Sequence, residues 1–113
     1  MDCVFCQIIQ GAIPSQQVYA DEQVYAFRDI NPQAPVHVLV VPREHLPGLP
    51  ALNDGHAALL LALHRAAHRV AVQEGIAERG YRLVVNSGPD AGQTVFHLHY
   101  HVLGGAPLGR FGR

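Results

Sequence analysis

Three histidines, His97, His99 and His101, occupy every second position near the C-terminal end of this 113-residue chain. Apolar residues fill the positions beside them: Phe96, Leu98, Tyr100 and Val102. This period of two predicts a β-strand with one apolar face and one imidazole face, on which neighbouring rings lie about 6.6–7 Å apart. Such a row suits phosphate chemistry, in which one ring is the nucleophile while its neighbours hold protons and oxygens. A metal site and a solvent-exposed polar face are the alternative interpretations.

The order of the histidines predicts their roles. His99 is the expected nucleophile, because both neighbours of the middle ring can reach the group that it attacks. His101 is the expected general acid, donating to a phosphate oxygen or to the leaving nitrogen. His37 lies on a segment that can form a strand beside the triad, and we expect it to fix the tautomer of the nucleophile. A core histidine bonded to a backbone carbonyl is the alternative for His37.

Three segments carry a resemblance to a known family. They are residues 97–103, residues 29–37 and the pair Val85-Asn86, all in that family's order. On these residues the chain resembles the histidine-triad (HIT) nucleotide-binding proteins, in particular the Hint-like branch of the bacterial purine nucleoside phosphoramidase type. The likeness runs from about residue 3 to residue 105, and it implies a single HIT domain over residues 1–113.

The resemblance implies a hydrolase that cleaves nucleoside 5′-phosphoramidates or related nucleoside monophosphate conjugates, with purines preferred. The middle histidine, here His99, would attack the α-phosphorus, and water would cleave the resulting nucleotidyl-histidine intermediate. Two other functions stay open: a nucleotide-binding regulatory or interaction module with incidental hydrolysis, and a dinucleoside polyphosphate hydrolase. The branch that transfers nucleotides has glutamine in place of the last triad histidine, and His101 is intact here.

The resemblance also implies nucleotide contacts. Asp29 would bind the ribose hydroxyls, Asn86 would lie near the phosphate, and the loop residues Gly92, Gln93 and Thr94 would contact phosphate oxygens. Four apolar residues would form the base cleft: Phe5, Ile8, Phe27 and Ile30. From the residues alone, the polar positions are equally consistent with a loop cap and ordinary turns, and the apolar ones with core.

The Cys3-x-x-Cys6 pair has three interpretations. A thioredoxin-like use expects the pair to follow a strand, and only two residues precede Cys3. A zinc site needs two further ligands. The resemblance supplies His45 and His97, which would complete a closed, structural Cys2His2 zinc site. In that case His97 is not free for acid–base catalysis and anchors the triad segment instead. Inert thiols remain the third possibility, and no organic cofactor is expected.

The remaining pattern predicts an α+β fold with a five-stranded antiparallel sheet, one short N-terminal helix and one long helix. The expected strands are residues 18–20, 24–27, 36–41, 81–85 and 96–103; the helices are residues 3–10 and 54–74. Leu59 and Ala66 widen the apolar side of the long helix, which suggests either a partner helix or ordinary core. With the resemblance, this width predicts a homodimer.

Composition limits the other functions. Apolar residues make up 49% and charged residues 15% of the chain, which is typical of a folded globular protein. The net charge of −1 argues against a nucleic-acid-coating surface. No apolar run approaches the ~20 residues of a membrane span, and no export signal is evident, so a cytoplasmic protein is expected. The short C-terminal tail does not reveal the leaving group.

Overall fold

The computed structural model describes residues 3–111, in which two α-helices accompany a five-stranded sheet. The elements in chain order are α1 (Val4–Ile9), β1 (Gln17–Ala20), β2 (Val24–Arg28), β3 (Val36–Pro42), α2 (Ala57–Gln73), β4 (Tyr81–Val85) and β5 (Tyr100–Gly104). Every strand pairing is antiparallel, in the order β1-β2-β3-β5-β4. The predicted fold class is therefore confirmed. Within residues 3–111, neither helix has the length and apolar content needed to cross a membrane.

Strand β3 lies in the middle of the sheet and is covered on both faces. Val38 and Val40 point toward α2, while Leu39 and Val41 point toward α1 and its neighbours. This double burial explains why the strand is apolar at almost every position. His37 is the exception, and it faces the α1 side of the sheet, where it is buried.

Helix α2 covers the other face of the sheet with a wide apolar surface. Leu59 and Ala66 are buried in the same core as Leu63 and Val70, against residues of β2, β3 and β5. The width that Leu59 and Ala66 give the helix is therefore used within the chain, which favours the ordinary-core alternative for these two residues. The helix begins with a 3-10 turn that Asn53 caps, because its side chain accepts from the Gly55 N–H at 2.8 Å.

The fifth strand is shorter than predicted. It begins at Tyr100, so His97 and His99 precede it. Leu98 N–H instead donates to the Leu46 carbonyl oxygen, at 2.6 Å, which ties this segment to the chain after β3. Phe96, expected on the apolar face, is 53% exposed. The alternation itself persists, because Leu98 is buried on the α2 side and His99 belongs to the opposite face.

Candidate active site

Strands β3 and β5 bring two histidines together on the sheet face opposite α2. His37 pairs with Leu103, and Leu39 pairs with His101, so the two histidines are diagonal neighbours in the antiparallel register. His37 Nε2 lies 2.9 Å from His101 Nδ1, and the ring centroids are 5.1 Å apart. The central strands therefore hold these two rings in direct contact.

Backbone hydrogen bonding sets the proton positions in this pair. The Gln33 N–H donates to His37 Nδ1 at 3.0 Å, so in the neutral ring Nε2 carries the proton. His37 Nε2 then donates to His101 Nδ1, which leaves the His101 proton on its own Nε2. In the described chain, His101 Nε2 is a buried nitrogen without a hydrogen-bond partner. An N–H donor in this position is available to an oxygen or nitrogen of a ligand.

Burial keeps both rings neutral near neutral pH. It lowers the pKa of His101 to about 4, with His99 and His37 acting in the same direction and Asp29 opposing them. Burial also lowers the pKa of His37, again against the Asp29 carboxylate, whose Oδ2 lies 3.4 Å from His37 Nε2. The neutral forms are the ones that the hydrogen-bond chain requires.

His99 presents a lone pair where His101 presents a proton. Its Nδ1 lies 2.8 Å from the His97 carbonyl oxygen, which can only accept, so in the neutral ring Nδ1 carries the proton and Nε2 has the lone pair. The residue is 8% exposed, and its ring centroid lies 5.1 Å from that of His101. The tautomer of His99 is thus fixed by the His97 carbonyl, whereas His37 contacts His101. This corrects the predicted role of His37.

The side chain of His97 belongs to a separate cluster with Cys3, Cys6 and His45. Its Nε2 donates to the Pro42 carbonyl at 2.8 Å, so the lone pair lies on Nδ1. That Nδ1 lies 3.4 Å from Cys3 Sγ, 3.6 Å from Cys6 Sγ and 3.2 Å from His45 Nδ1. Burial lowers the pKa of His97, which favours this unprotonated Nδ1.

The geometry of this cluster fits a zinc ion. Zinc bonds of ~2.3 Å to sulfur and ~2.0–2.1 Å to nitrogen, at tetrahedral angles, separate a nitrogen ligand from a sulfur ligand or a second nitrogen ligand by about 3.3–3.6 Å. His97 Nδ1 lies 3.2–3.6 Å from the other three ligand atoms, and Cys6 Sγ lies 3.4 Å from His45 Nδ1. All four ligand atoms lie within 4.8 Å of one another. The four predicted ligands are therefore brought together in a set that can hold zinc.

The loop before the triad is held in position by the Gln93 side chain. Gln93 is 6% exposed, and its Oε1 accepts from the Gly88 N–H at 2.9 Å. Its Nε2 donates to the carbonyl oxygens of Pro47 and Val95, at 2.9 Å and 3.2 Å. Both amide protons are used inside the protein, so this side chain has none to donate to a phosphate. A direct phosphate contact by the Gln93 side chain is replaced by a role in positioning the loop.

The other predicted phosphate contacts lie at or near the surface. Gly92 adopts a left-handed φ of 91° in this loop and is exposed, as is Thr94. Asn86 follows the end of β4 and is half-buried. These positions are consistent with contacts to a ligand that approaches from solvent.

Known proteins are similar to this chain in sequence and in fold. A model of the HIT domain matches residues 10–108. The chain belongs to the HIT domain family. The purine nucleoside phosphoramidase of Escherichia coli K12 is 46% identical over 108 residues, which cover 96% of this chain and 91% of that protein. The 14 kDa zinc-binding protein of Zea mays is 50% identical over 107 residues, covering 93% and 83% of the two chains.

The structural comparison leads to the same HIT family. A HIT family hydrolase from Clostridium thermocellum superposes with a TM-score of 0.94 at 54% identity, covering 96% of this chain and 95% of that one. A HIT family hydrolase from Legionella pneumophila Philadelphia 1 gives a TM-score of 0.96 at 42% identity and covers 99% and 100%. These HIT relatives support hydrolysis as the activity of this chain.

In this HIT protein, the predicted base-cleft residues divide into buried and exposed positions. Phe5 and Phe27 are buried and meet edge to face at 5.5 Å between ring centroids, and Ile8 packs against the same cluster. Ile30 is 98% exposed. Asp29 Oδ1 accepts from the Asn31 N–H at 2.8 Å, so this carboxylate caps its own loop as well as facing His37.

Several functional contacts of this HIT site could not be read from the sequence. The Gln33 amide and the carbonyls of Pro42 and His97 act through the backbone, which carries no residue-type signal. A cavity of about 480 Å³ beside Asp29 and Ile30 is also lined by Ser15 and Arg28, and the sequence patterns did not single out those two residues.

Proposed function

We propose that this HIT protein hydrolyses nucleoside 5′-phosphoramidates or related nucleoside monophosphate conjugates, with a preference for purines. One observation carries the proposal: the unprotonated Nε2 of His99 and the unpartnered Nε2–H of His101 lie on adjacent rings. A lone pair for phosphorus and a hydrogen-bond donor for the leaving group are two elements that such a displacement needs.

In the first step, His99 Nε2 attacks the α-phosphorus and the bond from phosphorus to the leaving nitrogen breaks. The Nε2–H of His101 donates a hydrogen bond to that nitrogen, which takes up a proton from solvent and departs as an amine. The His97 carbonyl, 2.8 Å from His99 Nδ1, stabilises the positive charge that develops on the nucleophilic ring. The hydrogen bond from His37 keeps the His101 proton on Nε2.

In the second step, water cleaves the nucleotidyl-histidine intermediate. The water oxygen bonds to phosphorus, the bond to His99 Nε2 breaks, and the proton that the water loses passes to solvent. The products are a nucleoside monophosphate and an enzyme with both rings in their starting tautomers. Gly92, Thr94 and Asn86 would contact the phosphate oxygens, with Gln93 holding their loop.

The nucleoside would lie beside Asp29 and the apolar residues of α1 and β2. The carboxylate of Asp29 can accept from ribose hydroxyls while its other oxygen keeps the Asn31 bond. Phe5, Ile8 and Phe27 would contact one face of the purine, and the exposed Ile30 would cover the other face. Binding of a flat base accounts for an isoleucine that is otherwise fully open to solvent.

We also propose a structural zinc ion, held by Cys3, Cys6, His45 and His97. It would cross-link α1 to the segments that follow β3 and precede β5, and His97 would act as a ligand and not as a proton carrier. Reduced thiolate ligands of this kind are consistent with a cytoplasmic protein.

We propose a homodimer as the working form, on the basis of the family resemblance and of the outer edge of β4. The strand lies at the end of the sheet, so one side of its backbone lacks a partner strand among residues 3–111. A solution mass near twice the 12.3 kDa of the chain would support this proposal, and a 12.3 kDa species at micromolar concentration would contradict it.

The proposed activity is tested by trapping the intermediate. The protein is mixed with excess adenosine 5′-phosphoramidate, quenched at alkaline pH and analysed by intact mass and peptide mapping. We expect an added AMP moiety on His99. An enzyme that turns over the substrate without this adduct, or with the adduct on another side chain, contradicts the mechanism. AMP binding without turnover of any conjugate favours a regulatory module instead.

A further inference from the structure

We propose that zinc binding and nucleotide binding are thermodynamically coupled through α1, so that each ligand raises the affinity for the other. This inference rests on the proposed nucleotide function and on the fit of zinc to the Cys2His2 cluster. It assigns the zinc site an influence on ligand affinity in addition to its structural role.

Helix α1 is too short to be stable alone. It spans Val4–Ile9, six residues, whereas isolated helices below ~12–15 residues are marginal in water. Its backbone bonds to the following turn are local, such as Ala12 N–H to the Gln7 carbonyl at 2.8 Å. The position of α1 on the sheet therefore depends on its side chains.

Two of those side chains are zinc ligands that flank the nucleotide side of the helix. Cys3 is the N-cap of α1 and accepts from the Cys6 N–H at 3.4 Å, so both sulfurs lie at the same turn. Phe5 lies between them in sequence, and Ile8 follows one turn after Phe5. Zinc bound to Cys3 and Cys6 therefore fixes the turn that presents the proposed base cleft.

The Phe5 ring contacts both sites directly. It packs edge to face against the His97 ring, a zinc ligand, at 5.9 Å between centroids. It packs in the same way against the proposed nucleophile His99 at 5.1 Å, and against Phe27 at 5.5 Å. A shift of this ring would therefore change the packing at the metal cluster, at the base cleft and at the proposed nucleophile.

A second connection runs through the backbone of the triad segment. The side chain of His97 belongs to the metal cluster while its carbonyl oxygen holds His99 Nδ1. The next residue, Leu98, donates its N–H to the carbonyl of Leu46, which follows the ligand His45. Zinc bound to His45 and His97 therefore stabilises the segment that orients the nucleophile.

The consequence is an ordering cost that the two ligands share. Binding of either ligand fixes α1 and residues 97–99, which lowers the conformational entropy of the chain. The second ligand then binds to a chain that is already ordered, so its binding is more favourable. By linkage, the factor by which AMP strengthens zinc binding equals the factor by which zinc strengthens AMP binding. We expect a factor of roughly 5 or more, within the range usual for coupled sites.

The test measures zinc affinity with and without nucleotide. The full-length protein competes at equilibrium with a chromophoric zinc chelator of known affinity, in the absence and presence of saturating AMP, with a protein-free AMP blank. We expect AMP to lower the zinc dissociation constant by the factor above. Calorimetry of AMP binding to zinc-loaded and chelator-stripped protein should give the same factor.

Two variants of α1 distinguish loss of the coupling through Phe5 from loss of AMP affinity. Phe5→Leu keeps all four zinc ligands but removes the shared ring, so AMP at saturation should change the zinc affinity by a smaller factor than in the wild type. The remaining coupling would run through residues 97–99. Ile8→Ala removes a base-cleft contact that is not part of the metal cluster, so it should weaken AMP binding and keep the coupling.

The outcomes distinguish the two proposals. AMP that binds the wild-type protein but changes its zinc affinity less than twofold overturns the coupling alone. Undiminished coupling in Phe5→Leu overturns the assigned path through Phe5. A zinc-loaded protein that does not bind AMP at all overturns both the coupling and the proposed nucleotide function. If the zinc-stripped protein unfolds, calorimetry on it cannot be used. The chelator competition, which starts from the zinc-loaded protein, then tests whether AMP changes the zinc affinity.

Discussion

Two histidine-rich clusters lie side by side in this fold and differ in what they offer a ligand. One contains Cys3, Cys6, His45 and His97; the other contains Asp29, His37 and His101. In each, the potential ligand atoms lie within 4.8 Å of one another, so residue type and distance alone allow a metal at both.

Backbone partners make the difference. His97 donates its Nε2 proton to the Pro42 carbonyl, which leaves a lone pair directed at the thiols. His37 accepts from the Gln33 N–H, so its Nε2 keeps a proton and has no lone pair for a metal. The first cluster is therefore suited to a cation, and the second to hydrogen-bond donation and proton transfer. A histidine's function here depends on which backbone group it contacts.

The largest effect is expected from the proposed nucleophile, His99, whose neighbours His97 and His101 belong to the two clusters. His99→Ala should lower kcat for adenosine phosphoramidate by on the order of 10⁴–10⁶-fold, because no covalent intermediate can form. Zinc content should be unchanged, since the His97 side chain is untouched. Steady-state kinetics and metal analysis test both statements. His64→Ala, at an exposed position on α2, is the matched histidine control and should keep full activity.

The next effect concerns the donor at His101. His101→Gln should lower kcat by about 10²–10⁴-fold for a phosphoramidate with an alkylamine leaving group. The loss should be much smaller for a leaving group that departs without a proton, such as a nitrophenolate. Equal losses for both substrates would show that this ring stabilises the phosphate and does not assist departure of the leaving group.

Removing a metal ligand should affect the first cluster selectively. His45→Ala leaves three ligands and should weaken zinc binding by more than about 100-fold, lowering the melting temperature as well. His37→Ala should keep one zinc per chain, because its tautomer excludes it from metal binding. Elemental analysis of protein purified without chelator decides; zinc lost from His37→Ala would contradict the contrast between the clusters.

The Gln33 amide offers a direct way to convert one cluster toward the other. Gln33→Pro removes the N–H that holds His37 Nδ1, so the ring proton can move to Nδ1 and Nε2 can bind a metal. Loss of that hydrogen bond should lower kcat by about 3–10-fold. Added zinc should then inhibit the variant, while Gln33→Ala, which keeps the N–H, should behave like the wild type.

The smallest effect is on stability at acid pH. The folded chain holds the pKa of His101 at about 4, below its ordinary 6.5, so the folded state resists a proton that the unfolded state accepts. The stabilisation is present above pH 6.5 and is lost as the pH falls toward 4, at about 1.4 kcal/mol per pH unit for one proton. Between pH 4 and 6.5, the free energy of unfolding of His101→Gln, measured with denaturant, should change less steeply with pH than that of the wild type. The difference in slope should correspond to one bound proton.

Sequence reasoning succeeded where side-chain chemistry and spacing carry the information. The strands, the long helix and the Cys3-Cys6-His45-His97 set follow from periodicity and from family likeness, and the structure brings these residues together. The alternation around Leu98 survives although the strand there begins late.

The sequence was less informative where the partner is a backbone group or where tertiary packing decides. The His37–His101 contact depends on the β3–β5 register, which no local pattern specifies. Gln93 carries the right chemistry for phosphate, yet its amide is used by Gly88 and Pro47. Whether Leu59 faced its own sheet or a partner could be decided only by the packing of α2.

The side chain of Leu98 is directed into the α2 core, while that of His97 belongs to the cluster with Cys3, Cys6 and His45, and that of His99 contacts the His101 ring on the opposite face. One inserted or deleted residue between Gln93 and Tyr100 would therefore exchange an imidazole for an apolar group at all three destinations at once. Substitutions here each change a single environment. Over evolution, this peptide can change its composition but has almost no freedom to change its length.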